Sequence, residues 1–304
     1  MRSDSPTNGS DSVLESLLAT ELDAAAQSLA RADVREPRRE AASLWGACTG
    51  VSPGDAWLQR DRPPAPAARE RFWRAVRRRV DGEPFAYALG VVPFRTVLLA
   101  LDRRALIPRP ETEGLVELVL RNKGTRDGGR GTGGVAADIG TGSGCIAISL
   151  AVEGSFGRVI ATDISADAVA LAKENVARVQ PRTPVEVRIG DLVQPLAGER
   201  CRVIVANLPY LTEAEWDALD PGVRDYEPKG ALASGPDGLQ ATRALLDAAR
   251  AVLEPGGLLA LEIDERRTEA VRSLALTAGW GRIDIHQDLF GRARYALAWA
   301  SEDV

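Results

Sequence analysis

The chain has 304 residues, of which 45% are apolar, and carries a formal net charge of −5. That length holds one large α/β domain with a small companion, and the apolar share supports a true core. The acidic balance argues against nucleic-acid binding driven by phosphate attraction.

Residues 1–12 are small and polar and are expected to form a disordered tail. Residues 13–82 read as a helical bundle. Leu14, Leu17, Leu18, Leu22, Ala25 and Leu29 make one apolar stripe, and Arg39 to Cys48 predicts a second helix carrying Leu44 and Trp45. After a proline-rich loop over 61–66, Ala68, Phe72, Val76 and Val80 recur four residues apart. The arginines at 69, 71, 74, 77, 78 and 79 read as a solvated face of that helix. Over 83–105 the periodicity changes to alternation around Val91–Phe94 and Val97–Leu101, which predicts a β-hairpin linker.

The alternation ends at Leu106-Ile-Pro-Arg-Pro-Glu-Thr-Glu113, which leads into a helix with Leu115, Val116 and Val119 on one face. Proline at the helix start and glutamates in the first turn suit the exposed N–H groups there. Residues 121–134 are Gly- and Arg-rich and predict a flexible loop. Strands are then expected at 135–139, 158–162, 185–189, 202–206, 257–263, 282–286 and 294–299. Between them lies a helix over 165–179, with Ser165 as N-cap and Ala168, Ala172, Val176 and Val179 inward. This alternation implies a doubly wound, mainly parallel sheet over 106–304, with ligands at the carboxyl ends of its strands.

Four strand-end motifs carry chemistry. Gly140-Thr141-Gly142-Ser143-Gly144 joins the first of these strands to its helix, and its glycines allow close backbone approach to a ligand. Cys145 stands where a dinucleotide fingerprint needs glycine, which weakens a nicotinamide reading. Asp163 ends the second strand, where a carboxylate can accept both hydroxyls of a ribose. Asp191 and Leu192 follow the third, placed to meet an adenine amino group and cover its ring. Asn207-Leu208-Pro209-Tyr210 follows the fourth. There the Asn207 side chain and the Leu208 carbonyl offer two acceptors for a planar nitrogen, Pro209 fixes the turn and Tyr210 can lie against the flat group.

In this order the motifs resemble those of an S-adenosylmethionine-dependent amino-methyltransferase of the Rossmann-like class. The segments 106–113, Tyr87-Ala-Leu-Gly90, Val223-Arg-Asp-Tyr-Glu-Pro228 and Gly291-Arg-Ala-Arg294 narrow the resemblance to the HemK/PrmC family, over nearly the whole chain. The resemblance implies a seven-stranded sheet, S-adenosylmethionine as cofactor, and methylation of the Gly-Gly-Gln glutamine amide (N5) of class I peptide chain release factors. It also implies that the N-terminal bundle grips the protein substrate, and that Arg109 and Glu111 order the donor site. Two departures stand out: Leu208 where the family usually has proline, and Ala293 where it usually has aspartate.

Asn-Leu-Pro-Tyr is typical of rRNA adenine-N6 dimethyltransferases, so an adenine-N6 methyltransferase on RNA or DNA is the alternative, with an inactive donor-binding protein as a third. His286 is the only histidine, which excludes histidine-pair catalysis, and Cys48, Cys145 and Cys201 form no Cys-x-x-Cys zinc site. With no long apolar span and no signal-peptide core, the expectation is a cytoplasmic monomer without membrane, metal or direct nucleic-acid partners.

Overall fold

The computed structural model describes residues 16–123 and 133–301. The expected tail over 1–12, Leu14 and most of the expected loop over 121–134 lie outside them. Two compact units meet in sequence between Leu89 and Gly90.

The first unit is helical: α1 (Leu18–Arg31), α2 (Pro37–Thr49), α3 (Pro53–Leu58), α4 (Pro66–Val80) and α5 (Phe85–Leu89). Its core gathers Leu18, Leu29, Leu44, Trp45, Phe72 and Val76. The expected α1 stripe differs at two places. Leu17 precedes the helix and is 42% exposed, while Glu21 is buried on the inner face. Burying a carboxylate requires partners, and Glu21 accepts from Arg69 Nε at 2.7 Å and Trp73 Nε1 at 2.5 Å. The arginine run is therefore more than a solvated face: Arg69, Arg74, Arg78 and Arg79 pair with Glu21, Glu70, Glu83 and Glu40.

The second unit opens with an antiparallel hairpin, β1 (Val91–Phe94) and β2 (Val97–Ala100), then α6 (Pro110–Lys123). The alternation expected over 83–105 thus covers only the hairpin, since residues 85–89 coil into α5 with Tyr87 and Ala88 buried. β3 (Val135–Ile139), α7 (Cys145–Glu153), β4 (Arg158–Asp163), α8 (Ala166–Val179) and β5 (Val185–Ile189) follow. Next come β6 (Cys201–Ala206), α9 (Glu213–Asp217), α10 (Pro221–Arg224), α11 (Gln240–Ala249), β7 (Leu253–Glu262), α12 (Thr268–Thr277), β8 (Arg282–Gln287) and β9 (Ala293–Trp299).

Seven strands form one sheet in the order β5-β4-β3-β6-β7-β9-β8, parallel from β5 to β7 and antiparallel through β9. Leu245 and Leu246 of α11 and Val271 and Ala275 of α12 join Ala137, Ile139, Ile204 and Leu259 in a core on one face. Ile139 stands opposite Thr162 and Ala206, and Ala206 opposite Leu261. The parallel ladders shift register near their amino ends, at Val135/Ala136 and Cys201/Val203, and the antiparallel β8–β9 pair shifts at His286/Gln287.

Polar side chains fix the hairpin. At its turn Arg95, with φ 50°, donates to Glu153 at 2.8 and 2.7 Å and to Glu117 at 2.9 Å, while its backbone N–H meets Glu113 at 3.0 Å. On α8, Ser165 caps the helix as expected, accepting from the Ala168 N–H. The inner face, however, holds Ala168, Leu171, Ala172 and Asn175, while Val176 and Val179 are only half-buried. Asn175 is fully buried; its Oδ1 accepts from the Ala100 N–H, and its Nδ2 donates to the carbonyls of Ala100 and Ser143. Replacing it by leucine orphans those groups, so Asn175→Leu should destabilise the protein by about 2–4 kcal/mol, read as a lower urea midpoint at unchanged slope.

Candidate functional site

A cavity of about 390 Å³ opens at the carboxyl edge of the parallel strands. Its walls are the turns after β3, β4, β5 and β6, the segment 104–109 with Thr112, and residues 228–231.

The turn after β3 is held by a buried acid. Asp138 Oδ2 accepts from Thr141 Oγ1 at 2.6 Å and from the Ala147 N–H at 3.0 Å, which fastens the turn to the first turn of α7. Burial pushes the Asp138 carboxyl up to about 7. Gly140, Gly142 and Gly144 have φ of 71°, 55° and 84°, a region that side-chain-bearing residues occupy at a cost. Gly140, Thr141, Gly142 and Ser143 line the cavity. Gly144 is not among its wall residues; it caps α7, and a Cβ there would lie 3.2 Å from Ile148 and 3.4 Å from Ala172.

Asp163 closes the β4 end. One carboxylate oxygen accepts from the Gly142 N–H and the other from the Ser165 N–H, each at 2.9 Å, and the side chain lines the cavity. Each oxygen keeps a further lone pair for a hydroxyl donor. Ile164 beside it is 72% exposed and forms part of the same wall. At the β5 end Asp191 and Leu192 also line the cavity, and the Leu192 carbonyl accepts from Thr162 Oγ1 at 3.1 Å. Carboxylates on neighbouring strand ends, an apolar shelf and a glycine-rich turn suit a nucleoside carrying a charged tail, which is the shape of S-adenosylmethionine.

Arg109 lines the cavity and is clamped to Glu227 at 2.6 Å, and Glu227 also accepts from the Ile107 N–H at 3.2 Å. The 106–109 wall is thereby tied to the segment that leads into 228–231. Glu111 is not a wall residue; its carbonyl accepts from Tyr295 Oη at 2.7 Å. Glu113 faces the Arg95 turn.

After β6, Asn207, Leu208 and Pro209 line the cavity and Tyr210 stands just outside its wall. Tyr210 is half-buried, and desolvation pushes its phenol up to about 12, so it stays neutral. Asn207 Nδ2 donates to Thr112 Oγ1 at 3.0 Å, and Thr112 Oγ1 donates to Glu262 Oε2 at 2.7 Å. Neither Asn207 Oδ1 nor the Leu208 carbonyl accepts a hydrogen bond from any described residue. The Leu208 side chain packs towards the glycine turn, since a Cβ on Gly140 would lie 3.1 Å from its Cδ2. The Ala293 departure leaves its neighbour paired, because Arg294 lies 3.7 Å from Asp288.

Thr112, Asp138, Glu227 and Glu262 were not assigned roles from the sequence. Thr112 and Glu227 sit inside the motifs quoted above and Asp138 in the strand that precedes the glycine turn, and their partners are what mark them. Glu262 carries no signal beyond its place at a strand end.

The strand order and the row of strand-end turns define a Rossmann-like, S-adenosylmethionine-dependent methyltransferase. The N-terminal domain of human METTL16 in complex with SAH superposes with a TM-score of 0.51 at 19% identity, over 77% of this chain and 82% of that one. The hMettl16 catalytic domain in complex with an RNA hairpin gives 0.54 at 16%, over 78% and 83%. Residues 22–90 match the PrmC N-terminal domain, and residues 119–219 the Methyltransferase small domain. Proteins named release factor glutamine methyltransferase are similar along almost their whole length. That of Moorella thermoacetica is 39% identical and that of Cereibacter sphaeroides 37%, each over 92% of this chain and 97% of the relative. The chain belongs to the release factor glutamine methyltransferase family.

Two expectations follow. Gly140→Ala places a Cβ against Leu208 in a backbone conformation that disfavours it, and should weaken S-adenosylhomocysteine binding about tenfold or more by calorimetry. Burial pushes Glu262 from its ordinary value of 4.5 up to about 7. The folded state then holds this proton more tightly than the unfolded chain, so its stabilising contribution is complete below 4.5 and is lost as pH rises through 7. Glu262→Gln should therefore raise the melting temperature relative to the parent more at pH about 8.5 than at about 5.5.

Proposed function

We propose that this protein transfers a methyl group from S-adenosylmethionine to the side-chain amide nitrogen of the glutamine in the Gly-Gly-Gln motif of class I release factors. The observation that carries the reading is the pair of open acceptors, Asn207 Oδ1 and the Leu208 carbonyl, on the wall of the cavity that holds the glycine turn and Asp163. A primary carboxamide presents two coplanar N–H groups, which two such acceptors can hold at once.

When bound, S-adenosylmethionine supplies an electrophilic methyl on a sulfonium. Asp163 and Asp191 would hold its sugar and base, Thr141 and Ser143 its polar tail, and Arg109 and Glu111 would order the surrounding segment. An amide nitrogen is a weak nucleophile because its lone pair is delocalised into its carbonyl. Accepting both N–H bonds, Asn207 and Leu208 would orient that lone pair and favour the positive charge that develops on nitrogen. Pro209 fixes the carbonyl's direction, and Tyr210, neutral at working pH, would bound the amide plane. No strong base is required, since the extra proton leaves after transfer.

The helical unit would hold the protein substrate. Among the described residues no helix is long and apolar enough to cross a membrane. The reading is of a cytoplasmic monomer acting on release factors; the net charge of −5 supports its acting without direct nucleic-acid binding. The Leu208 form of the tetrad makes adenine-N6 transfer to RNA the competing outcome.

Asn207→Ala should lower turnover about 100-fold while changing donor affinity less than about threefold. A labelled methyl donor should mark a release factor, should not mark its Gln→Ala variant in the Gly-Gly-Gln loop, and should leave an unmodified rRNA fragment unlabelled. Label on the RNA alone, or on neither substrate despite donor binding, would overturn the proposal.

A further inference from the structure

We infer that Thr112 is a positioning residue for the acceptor site: its hydroxyl, oriented by Glu262, decides which way the Asn207 carboxamide faces. The inference rests on the amide-acceptor reading above and concerns how that acceptor is kept the right way round.

An asparagine side chain is nearly symmetrical in shape but not in function. Rotated by half a turn, Asn207 would present an NH₂ to the substrate's own N–H groups, and donors would meet donors. Sterics alone barely distinguish the two orientations, so a hydrogen-bonding partner must.

The structure supplies one with a definite polarity. A threonine hydroxyl has one proton and two lone pairs. Thr112 directs its proton to Glu262 Oε2 at 2.7 Å, which leaves only lone pairs for its other neighbour. The group on that side must be a donor, and it is Asn207 Nδ2 at 3.0 Å. Oδ1 is thereby turned to the opposite side and remains open. A hydroxyl free to rotate would tolerate either orientation; a hydroxyl whose proton is engaged by Oε2, which accepts both in the ionised carboxylate and in a carboxyl protonated on Oε1, tolerates one.

The fold brings the three residues together from three elements. Asn207 and Glu262 are the next residues after the paired Ala206 and Leu261, so they leave adjacent parallel strands side by side. Thr112 lies in the first turn of α6, whose proline and glutamates mark the helix start. Thr112 and Glu262 are 2% and 5% exposed, so water does not compete for these bonds. α6 is also fixed in depth: Tyr295 Oη donates to the Glu111 carbonyl, and a Cβ at Gly114 would lie 2.2 Å from that oxygen. Thr112 stands in the cavity wall behind Asn207 and acts through it.

The test uses the full-length protein with a release factor as substrate, and reads single-turnover methyl transfer and S-adenosylhomocysteine affinity. Thr112→Val keeps the shape and removes the hydroxyl. It should slow transfer about 30-fold with donor affinity within about twofold. Thr112→Ser, which restores the hydroxyl, should return the rate to within about threefold of the parent. Transfer by Thr112→Val within about threefold of the parent overturns the inference, as does an equal loss of donor affinity. Failure of Thr112→Ser to recover the rate overturns it as well. Should Thr112→Val not fold, judged by its melting curve, Thr112→Ala carries the same expectations. Asn207→Ala is run alongside. If that variant keeps the parental rate, the acceptor reading itself falls; if it is slow while Thr112→Val is not, only the role of Thr112 falls.

Discussion

Parallel pairing that brings four strand ends level is the constraint on which the remaining architecture depends. Because Ile139 lies opposite Thr162 and Ala206, and Ala206 opposite Leu261, the next residue on each strand falls in one row. That row is Gly140, Asp163, Asn207 and Glu262. The Thr162 carbonyl accepts from both the Gly140 and Thr141 N–H groups at 2.9 Å, which ends the ladder and starts the turn. A one-residue slip of β6 would invert its side chains and carry Asn207 out of the row. Hydrophobic burial on both faces prevents this, since Val203, Ile204, Val205 and Ala206 are all fully buried.

Much of this could be read from the chain itself. The strands of the sheet stand within a few residues of their expected places, and the turns after β3, β4, β5 and β6 meet around one cavity. Local pattern suffices there because a buried parallel strand is a short apolar run whatever surrounds it. The reading fell short where a residue's role depends on a distant partner. Val176 and Val179 looked inward by periodicity alone, yet the deepest polar group on α8 is Asn175, whose partners lie in β2 and in the glycine turn. Leu17 continued an apolar stripe, but the helix starts one residue later and the inner position goes to Glu21. Residues 85–89 alternated weakly and coil instead.

The same limit governed the site. Glycine, aspartate and asparagine at strand ends announce themselves, because turns and ligands both favour them. Thr112 and Glu262 lie 150 positions apart and Arg109 and Glu227 lie 118 apart, so nothing local links them. These long-range contacts share one physical purpose. The first ties α6 to the end of β7, and the second ties the 106–109 wall to the segment before residues 228–231. Asp138 fastens the glycine turn to α7, Glu227 ties down the 106–109 wall, and Arg95 holds the hairpin to α6 and α7. Apolar packing builds the sheet, and directional bonds then set the aim of its loops.

The register shifts of the parallel ladders lie at the amino ends of their strands, remote from this row. Between β6 and β7 the pairing passes from Cys201/Leu253 to Val203/Leu258, so Glu254, Pro255, Gly256 and Gly257 bow out of the ladder. Slack of that kind decouples chain length from site geometry. The bow is held from the other side, where the Gly256 N–H donates to the Ser301 carbonyl and the Ala300 N–H to the Gly257 carbonyl, and the pairing above it resets before Ala206 is reached. Extra length in β7 is thus taken up at one edge of the sheet while the strand ends at the opposite edge stay level.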